Sequence, residues 1–425
     1  MKSFIRGLIV FYGIIVIMQG LLCLVAVIPR EKIKDNMLES GKYFHEREML
    51  PMITNGAEGS MLHSFADETI LSIAYYLNPE KPLESAIWSN YYVDGEHLND
   101  SLLYAVEKDL PSNREYLRYW HGSVTILRPL HMIMSVKEIK VFNGVVLCLL
   151  CIILMTLLWR ADYQLEAAAL AVSLFLVSAW VVPFCLEYTW TFLIMLLVSI
   201  ASVSMALKRQ YSSFLYFLSG MITVYFDFLT AETLTLLIPL LLALRIRKKE
   251  SDNESIVIYS AKCCMLWLCG YCFTWGSKWA IAADFMKRNS LIYVSDHVAE
   301  RLYGEADLSH IEFLREAITL NIKKLFFFDY GLLGATAFFI MAAVVFIFIS
   351  TGVIGLRKVI DVQQIMLYAG LGIIPYVRFL VLHNHSYYHS FFTYRAQMAS
   401  VMALFFILFE LLQKTAGRTS SVSSL

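Results

Sequence analysis

Long apolar runs separated by short polar segments set the pattern of this chain. Most runs approach the roughly 20 apolar residues that a helix needs to cross the hydrocarbon core of a bilayer. A backbone in lipid must satisfy its own hydrogen bonds, so such runs are helical. We therefore expect an all-α polytopic membrane protein with about ten transmembrane helices, at residues 4–28, 141–159, 165–183, 190–207, 212–229, 233–245, 256–280, 331–352, 365–382 and 391–412.

Polar stretches divide the chain into regions. Residues 1–28 hold the first transmembrane helix, and residues 29–140 form a large loop. Amphipathic stretches in this loop, such as residues 67–77, predict a helical domain. The rest of the chain divides into a transmembrane domain, a second polar segment within it and a short polar tail, at residues 141–413, 281–330 and 414–425.

The composition agrees with a membrane protein and narrows its partners. Of 425 residues, 58% are hydrophobic and 16% are charged, and the mean hydropathy is +0.60. The formal net charge is zero, so nothing indicates a nucleic-acid partner, and the lipid bilayer is the expected environment. All but one of the eight cysteines fall within predicted spans, where we expect packing between helices rather than a redox or zinc motif.

Basic residues mark one side of the predicted membrane domain. By the positive-inside rule, the side that carries most lysines and arginines in its short loops faces the cytoplasm. This rule places both termini in the cytoplasm and residues 29–140 on the outer side. The basic positions that carry the assignment are Lys2, Arg6, Arg160, Lys208, Arg209, Arg245, Lys249, Arg357, Lys358 and Lys414.

The segment FDFLTAETLT, with Asp227 and Glu232, interrupts two closely spaced spans. The second of these spans, at residues 233–245, covers about 20 Å, which is less than the hydrocarbon core of about 30 Å. The turn should therefore lie below the outer membrane surface. Carboxylates at that depth are tolerated where they line an enclosed or hydrated cavity, so we expect Asp227 to serve such a cavity.

Other ionisable residues also gather at the predicted outer level. Ionisable groups in or near the membrane are costly, and a cluster on one face indicates a functional cavity. Simpler alternatives are a solvated helix start for Asp67 and Glu68, and an aromatic belt around Lys278. The predicted cavity residues are Asp67, Glu68, Arg118, His121, Arg128, Glu187, Asp227, Glu232, Lys278, Arg378, His383, His385, His389 and Arg395.

The segment HNHSYYHSFFTYR, at residues 383–395, contains four of these ionisable residues within 13 positions. Its three histidines have a His-x-His-x3-His spacing that could hold a metal ion, although no adjacent carboxylate completes the set. They could instead act with Arg378 and Arg395 to hold a phosphate, because arginine binds phosphate in a bidentate manner. A purely structural interfacial turn is the third interpretation. We favour phosphate, and we predict no cofactor and no metal, with a divalent ion as the less favoured alternative.

The architecture resembles the GT-C class of glycosyltransferases. The features that carry the resemblance are a first span, a large outer loop with the Asp67-Glu68 pair, and many further helices with polar outer loops. The segments RYWHG, FDFLT, SKW and HSFFTYR are also similar to uncharacterised bacterial membrane proteins associated with surface-polysaccharide synthesis. The resemblance implies transfer of a sugar from a polyprenyl-phosphate carrier to a glycan or lipid acceptor, on the outer face of a bacterial plasma membrane.

The resemblance also implies roles for individual residues. Asp67 is the candidate general base, with Glu68 beside it, while Asp35 and Glu39 lie nearer the first span. The phosphate would lie near four cationic side chains, those of Lys278, Arg378, His389 and Arg395. We expect Arg395 to pair with Asp227 or Glu187. Two alternatives remain open: a transporter or flippase of lipid-linked glycans, and a membrane acyltransferase with a histidine base.

Overall fold

A computed structural model describes residues 2–247, 255–286, 309–325 and 361–411, together with position 295. These residues form helices joined by turns and contain no β-strand. The helices of the first half are α1 Lys2–Ala26, α2 Lys34–His45, α3 Ser64–Tyr76, α4 Pro82–Trp88, α5 Ser101–Glu107, α6 Val124–Leu130, α7 Val136–Arg160, α8 Gln164–Leu176 and α9 Leu186–Leu207. Those of the second half are α10 Phe214–Phe226, α11 Leu234–Ile246, α12 Ile256–Met286, α13 His310–Leu325, α14 Val362–Val381, α15 His383–Tyr388, α16 Ser390–Thr393 and α17 Met398–Leu411.

In the part of the chain that the structure describes, six helical segments are long and apolar enough to cross a membrane, which identifies a multi-pass helical membrane protein. They are Gly7–Ala26, Val136–Arg160, Leu186–Leu207, Ile256–Phe285, Val362–Val381 and Ser390–Leu411. Three shorter apolar helices, α8, α10 and α11, match further predicted spans. The predicted span 331–352 and the tail 414–425 lie outside the described residues.

Helix α8 is shorter than the predicted span at 165–183. It ends at Leu176, and Ser178 then adopts a left-handed backbone with φ of 50°. The chain continues as a 3-10 helix, Ala179–Phe184, which contains Pro183. Proline lacks the N–H that an α-helix would use, so the apolar run cannot continue as one regular helix.

Close helix packing joins α10 to α12. A Cβ added at Gly220 would clash with the backbone carbonyl of Trp267, and one added at Gly270 would clash with the carbonyl of Phe217. Each glycine thus allows the opposing backbone to approach. Small residues serve this purpose in membrane helices, where van der Waals contact drives association.

Residues 27–135 pack on one end of the helical bundle, called here the loop end. Arg128 donates to the carbonyls of Ile28, Ala74 and Leu77, at 2.5 Å for Ile28 and 3.1 Å for Leu77. The indole of Trp120 donates to the carbonyl of Thr274 on α12 at 2.9 Å. The predicted loop domain is therefore folded and fixed to the transmembrane helices.

A buried ion cluster ties helices together at the opposite end. Arg245, at the end of α11, bonds Glu166 on α8 at 2.5 Å and also bonds Glu410 on α17. The three side chains are at most 10% exposed. The cluster brings one end of each of these helices to the same side of the bundle.

Candidate functional site

Eight buried or half-buried side chains form a chain of contacts at the loop end of the bundle, called here the polar network. They come from α3 and the residue before it, from the first turns of α7 and α9, from the turn between α10 and α11, and from α14 to α16. The members are His63, Asp67, Lys140, Glu187, Glu232, Arg378, His385 and His389.

Asp67 joins the loop domain to two transmembrane helices. Its Oδ2 lies 2.8 Å from the ammonium of Lys140, in the first turns of α7. Its Oδ1 accepts from the backbone N–H of Glu187 at 3.1 Å and from the thiol of Cys185 at 3.3 Å. The carboxylate therefore caps the amino end of α9, where a negative charge is favourable. Asp67 is fully buried.

The neighbouring carboxyl group of Glu68 faces a different environment. Its Oε1 accepts from the backbone N–H of Leu102, on α5, at 2.7 Å. Burial raises the pKa of Glu68 to about 8, although the hydrogen bond from Leu102 opposes the shift. The two adjacent residues thus differ in role, because Asp67 contacts the transmembrane helices and Glu68 contacts the interior of the loop domain.

His63 and Glu187 form the acid–base pair of the network. The Nδ1 atom of His63 lies 2.8 Å from Oε2 of Glu187, and the two side chains are 17% and 8% exposed. Burial is the largest single effect and disfavours the charged imidazole, but the charge of Glu187, its hydrogen bond and the charge of Asp67 together outweigh it and raise the pKa of His63. With Nδ1–H held by the carboxylate, Nε2 is left as the proton acceptor.

Three imidazole rings continue the network toward Arg378. The rings of His63 and His389 have centroids 6.1 Å apart, and those of His389 and His385 are 4.7 Å apart. Phe392 stacks on His389 at 5.1 Å and on His63 at 6.2 Å. The HNHSYYHSFFTYR segment therefore places two of its histidines beside a third from the loop domain.

Arg378 ends the network in an ion pair with Glu232. Its Nε and Nη2 atoms lie 2.9 Å and 3.3 Å from the two carboxylate oxygens. The guanidinium also donates to Ser386 Oγ at 3.0 Å and to the carbonyl of Leu229 at 2.7 Å, and it lies 3.4 Å from Nδ1 of His385. This buried arginine is thus paired with a carboxylate from the short turn.

The expected pairing of Arg395 with Asp227 or Glu187 is wrong. Arg395 donates to the carbonyls of Phe391 and Gly59, both at 3.1 Å, and its guanidinium lies 4.7 Å from the ring centre of Tyr188. Glu187 is occupied by His63. Among the residues that the structure describes, carbonyl oxygens and an aromatic face therefore stabilise the Arg395 cation, and no carboxylate pairs with it.

Asp227 stabilises its own turn. It accepts from the hydroxyl of Thr191 and from the hydroxyl and backbone N–H of Thr230, the last two at 2.5 Å and 3.1 Å. The side chain is 4% exposed. Its neighbour in the turn, Glu232, reaches Arg378 instead. The two carboxylates of FDFLTAETLT are thus both buried, one in a structural turn and one in the polar network.

Three predicted cavity residues belong to a second group around α4 and α12. Lys278 donates to the carbonyls of Ile87 and Ala86, at 3.0 Å and 3.4 Å, at the end of α4. The carbonyl of Arg118 accepts from the indoles of Trp275 and Trp279. Among the described residues, the hydrogen bonds of Lys278 go to these carbonyls and not to the polar network, so the expected grouping of Lys278 with Arg378 is corrected.

His121 belongs to the same second group. Its Nε2 lies 2.9 Å from the carbonyl of Tyr116, and its ring packs 5.4 Å from that of Phe228. Burial is the main cause that lowers the pKa of His121 to about 3, and the charge of Lys278 acts in the same direction. His121 is therefore neutral at physiological pH.

His383 points away from the other two histidines of its segment. Its Nδ1 lies 3.2 Å from the carbonyl of Leu380, and its ring packs edge-on against Phe313 of α13. Within the described ranges, no three His, Cys, Asp or Glu side chains converge on a position that could hold a metal ion. The His-x-His-x3-His spacing thus does not form a ligand set here.

Sequence reasoning missed His63 and Lys140. Lys140 is a single cation close to the start of a long apolar helix and resembles an ordinary interfacial lysine. A weak signal exists, because Ser135 and Glu138 form a capping box that begins α7. Lys140 therefore lies within the helix, on a turn that packs against the loop domain.

Comparisons with known proteins do not indicate a function for this chain. No family model matches the chain, and neither does any curated protein or solved structure. The site therefore has to be interpreted from its own contacts, burial and charges.

Proposed function

We propose that this protein is a membrane glycosyltransferase of the GT-C type. It would move a sugar from a polyprenyl-phosphate carrier to a hydroxyl group of a cell-surface glycan or lipid. The observation that carries the proposal is the pair of His63 and Glu187, at the partly exposed edge of a buried network of charges. A carboxylate that orients an imidazole is a common arrangement for a general base.

We assign the general base to His63. Glu187 holds the Nδ1 proton, so Nε2 can accept the proton of the acceptor hydroxyl. Asp67, favoured from the sequence, takes a positioning role because Lys140 and the amino end of α9 occupy its oxygens. Through that contact Asp67 fixes the helix turn that carries Glu187.

The proposed transfer is a substitution at the anomeric carbon of the donor sugar, with His63 as the base. The acceptor oxygen gives its proton to His63 and forms a bond to the anomeric carbon. The bond from that carbon to the phosphate oxygen breaks, and the lipid phosphate leaves with the electron pair. Attack opposite the leaving group inverts the anomeric centre. Proton return from His63 to water restores the site.

Hydrogen-bond donors next to His63 suit the leaving phosphate. His389 and His385 lie between His63 and Arg378, and each imidazole can donate to a phosphate oxygen. Glu232 balances the charge of Arg378 and holds its planar fork in place. Developing negative charge is stabilised best by donors that are already oriented, which is how the network would lower the barrier.

The loop end of the bundle faces outward in this proposal. The bilayer of a bacterial plasma membrane surrounds the apolar helices, and both termini lie in the cytoplasm. Support comes from the lysines and arginines of the short loops.

The proposal is tested with purified protein in lipid nanodiscs and a panel of polyprenyl-phosphate sugars. Loss of a general base should lower turnover of the productive donor by about 10²–10⁴-fold in His63→Gln. The matched control is His45→Gln, which removes an exposed histidine bonded to Asp100 in the same domain and should keep wild-type turnover. Equal turnover in both variants would overturn the assignment.

Acyl transfer is the second candidate, because a carboxylate-held histidine also activates a hydroxyl for acylation. The nucleophile is then the same acceptor oxygen, and the electrophile is an acyl carbon in place of an anomeric carbon. A panel of acyl thioesters, assayed beside the sugar donors, separates the two. Turnover of acyl donors alone, dependent on His63, would replace glycosyl transfer as the function.

A further inference from the structure

A polar cleft crosses the loop domain apart from the polar network. It consists of two adjoining cavities of about 420 Å³ and 650 Å³, which share the residues Asn90 and Ser112. The first extends to Arg30 and Trp88, and the second extends to Arg118. Each cavity falls in the size range of small-ligand sites, and their shared boundary makes one elongated trough.

We infer that this cleft binds a neutral oligosaccharide, the stretch of an acceptor glycan next to its reacting end. The identity of the glycan as an acceptor rests on the proposed function. That a sugar chain binds in the cleft is inferred only from the residues that line it.

The middle of the cleft offers unused hydrogen-bonding groups beside an aromatic ring. Trp88, Asn90 and Ser112 are half-buried, and their side chains make no hydrogen bond within the described part of the chain. Polar groups removed from bulk water favour a partner, and an amide offers both donors and acceptors. An indole next to an amide and a hydroxyl suits a sugar ring, which has apolar C–H faces and an edge of hydroxyls.

The charges around the cleft nearly balance, which favours a neutral chain over a polyanion. Four basic lining residues, Arg30, Lys81, Arg114 and Arg118, face three acidic ones, Glu84, Asp109 and Glu115. Arg30 lies 3.9 Å from Asp109, and Lys81 lies 3.2 Å from Glu84. A site for a polyanion would instead present an excess of unbalanced lysine and arginine.

The floor of the cleft is rigid before any ligand arrives. Tyr91 and Arg114 form an antiparallel bridge, with backbone hydrogen bonds of 3.0 Å and 3.1 Å. The amide of Asn113 donates to the carbonyl of Val93 at 2.9 Å and accepts from its N–H at 3.0 Å. A preformed surface loses little conformational entropy on binding, so weak contacts with each sugar can add up.

Helix α3 connects the cleft to the polar network. Tyr76, near its carboxyl end, lines the first cavity, and Asp67, near its amino end, belongs to the network. His63 immediately precedes this helix, and its 13-residue separation from Tyr76 corresponds to about 20 Å along a helix. The cleft is thus a separate site on the same domain, near enough for one extended glycan to occupy it while its end reaches His63.

The inference is tested by binding, without turnover, of neutral disaccharides and hexasaccharides of glucose, N-acetylglucosamine and galactose to the full chain in nanodiscs. Saturation-transfer NMR detects the bound sugar, and titration gives its affinity. We expect hexasaccharides to bind better than disaccharides. Asn90→Ala and Ser112→Ala together should weaken binding about tenfold, the effect of losing one or two neutral hydrogen bonds. The control His45→Gln, an exposed histidine of the same domain outside the cleft lining, should leave binding unchanged.

The binding results distinguish a failure of the cleft assignment from a failure of the proposed glycosyltransferase function. Binding that survives Asn90→Ala/Ser112→Ala, or an absence of binding by every sugar, overturns the cleft assignment even if sugar donors are turned over. Preference for inositol phosphate or anionic lipid vesicles over neutral sugars also overturns it. Cleft-dependent binding without turnover of any sugar donor would keep the cleft and reject the glycosyltransferase.

Discussion

The Nζ atom of Lys140 lies 2.8 Å from Oδ2 of Asp67, and the two side chains are 4% and 1% exposed. One residue lies in a transmembrane helix and the other in the loop domain. The contact therefore fixes the loop domain to the bundle through a desolvated ion pair, which is expensive to break from one side only.

Removing one member of this pair should destabilise the protein. Lys140→Met leaves the Asp67 carboxylate buried without its cation, and we expect a loss of about 3–5 kcal/mol, measured by thermal unfolding in detergent. Lys137→Met, on the exposed side of the same helix, is the control and should unfold like the wild type. Lys140→Met combined with Asp67→Asn should recover much of the loss, because both charges are gone and the amide oxygen still accepts from the amino end of α9. An unchanged unfolding temperature in Lys140→Met would contradict the buried pair.

The pH dependence of turnover should report the pairing of His63 with Glu187. A general base must be neutral, so turnover rises as the pH passes the pKa of His63, which Glu187 raises. In Glu187→Gln that support is lost, and the rising limb of the kcat profile should move to lower pH while kcat falls. A profile that stays in place in Glu187→Gln would argue against His63 as the base.

Glu68 should make the folded protein less stable in alkaline solution. Burial raises its pKa to about 8, so the folded protein keeps a proton that the unfolded chain releases at lower pH. Stability from this group is complete below the ordinary pKa of glutamate and declines as the pH approaches 8. Glu68→Gln keeps an acceptor for Leu102 without the charge. Its unfolding temperature should exceed that of the wild type at pH 9 and converge with it at pH 5, and equal temperatures at both would refute the prediction.

Variants of Arg378 and Glu232 can distinguish a role in protein stability from a role in donor binding. Arg378→Gln leaves a buried carboxylate unpaired and should cost about 3–5 kcal/mol of stability. Arg378→Gln with Glu232→Gln removes both charges and should restore most of the unfolding temperature. If Arg378 also helps to hold the lipid phosphate, the double variant folds but keeps a raised KM for the donor. A wild-type KM in the double variant would limit Arg378 to a structural role.

The direction of the chain across the membrane is tested by cysteine labelling. Gly95 has open space around it in the loop domain, and Lys208 is exposed beyond the end of α9. A membrane-impermeant maleimide should label Gly95→Cys in intact cells and Lys208→Cys only after permeabilisation, with the wild-type chain as background control. The reverse pattern would invert the topology.

Much of the helical framework could be predicted from hydropathy alone. Every predicted span except 331–352, which lies outside the described residues, overlaps a helix. The short turn with Asp227 and Glu232 is buried as its sequence indicates. Helix length and apolar periodicity are local properties, so a single sequence contains them. The end of α8 was less predictable, since Ser178 and Pro183 break an apolar run that hydropathy treats as continuous.

The partners within the site could not be predicted in the same way. Glu187 bonds His63, which is 124 residues away in the sequence, and Arg378 bonds Glu232 at a separation of 146 residues. Charge and predicted depth in the membrane restrict which residues can meet. They do not predict which of several carboxylates at a similar depth will pair with a given cation. The choice is made by helix rotation and by the loop domain. This is why Arg395, expected to bind a carboxylate, binds carbonyl oxygens instead.

The last helices of the chain supply partners at both ends of the bundle. Arg378 reaches back to Glu232, and Glu410 reaches back to Arg245 over 165 residues. Arg378 is synthesised 146 residues after Glu232, so Glu232 enters the membrane before Arg378 has been made. The polar network therefore cannot be complete until the last helices have been made, and a nascent chain interrupted before α14 would lack the cation that pairs with Glu232.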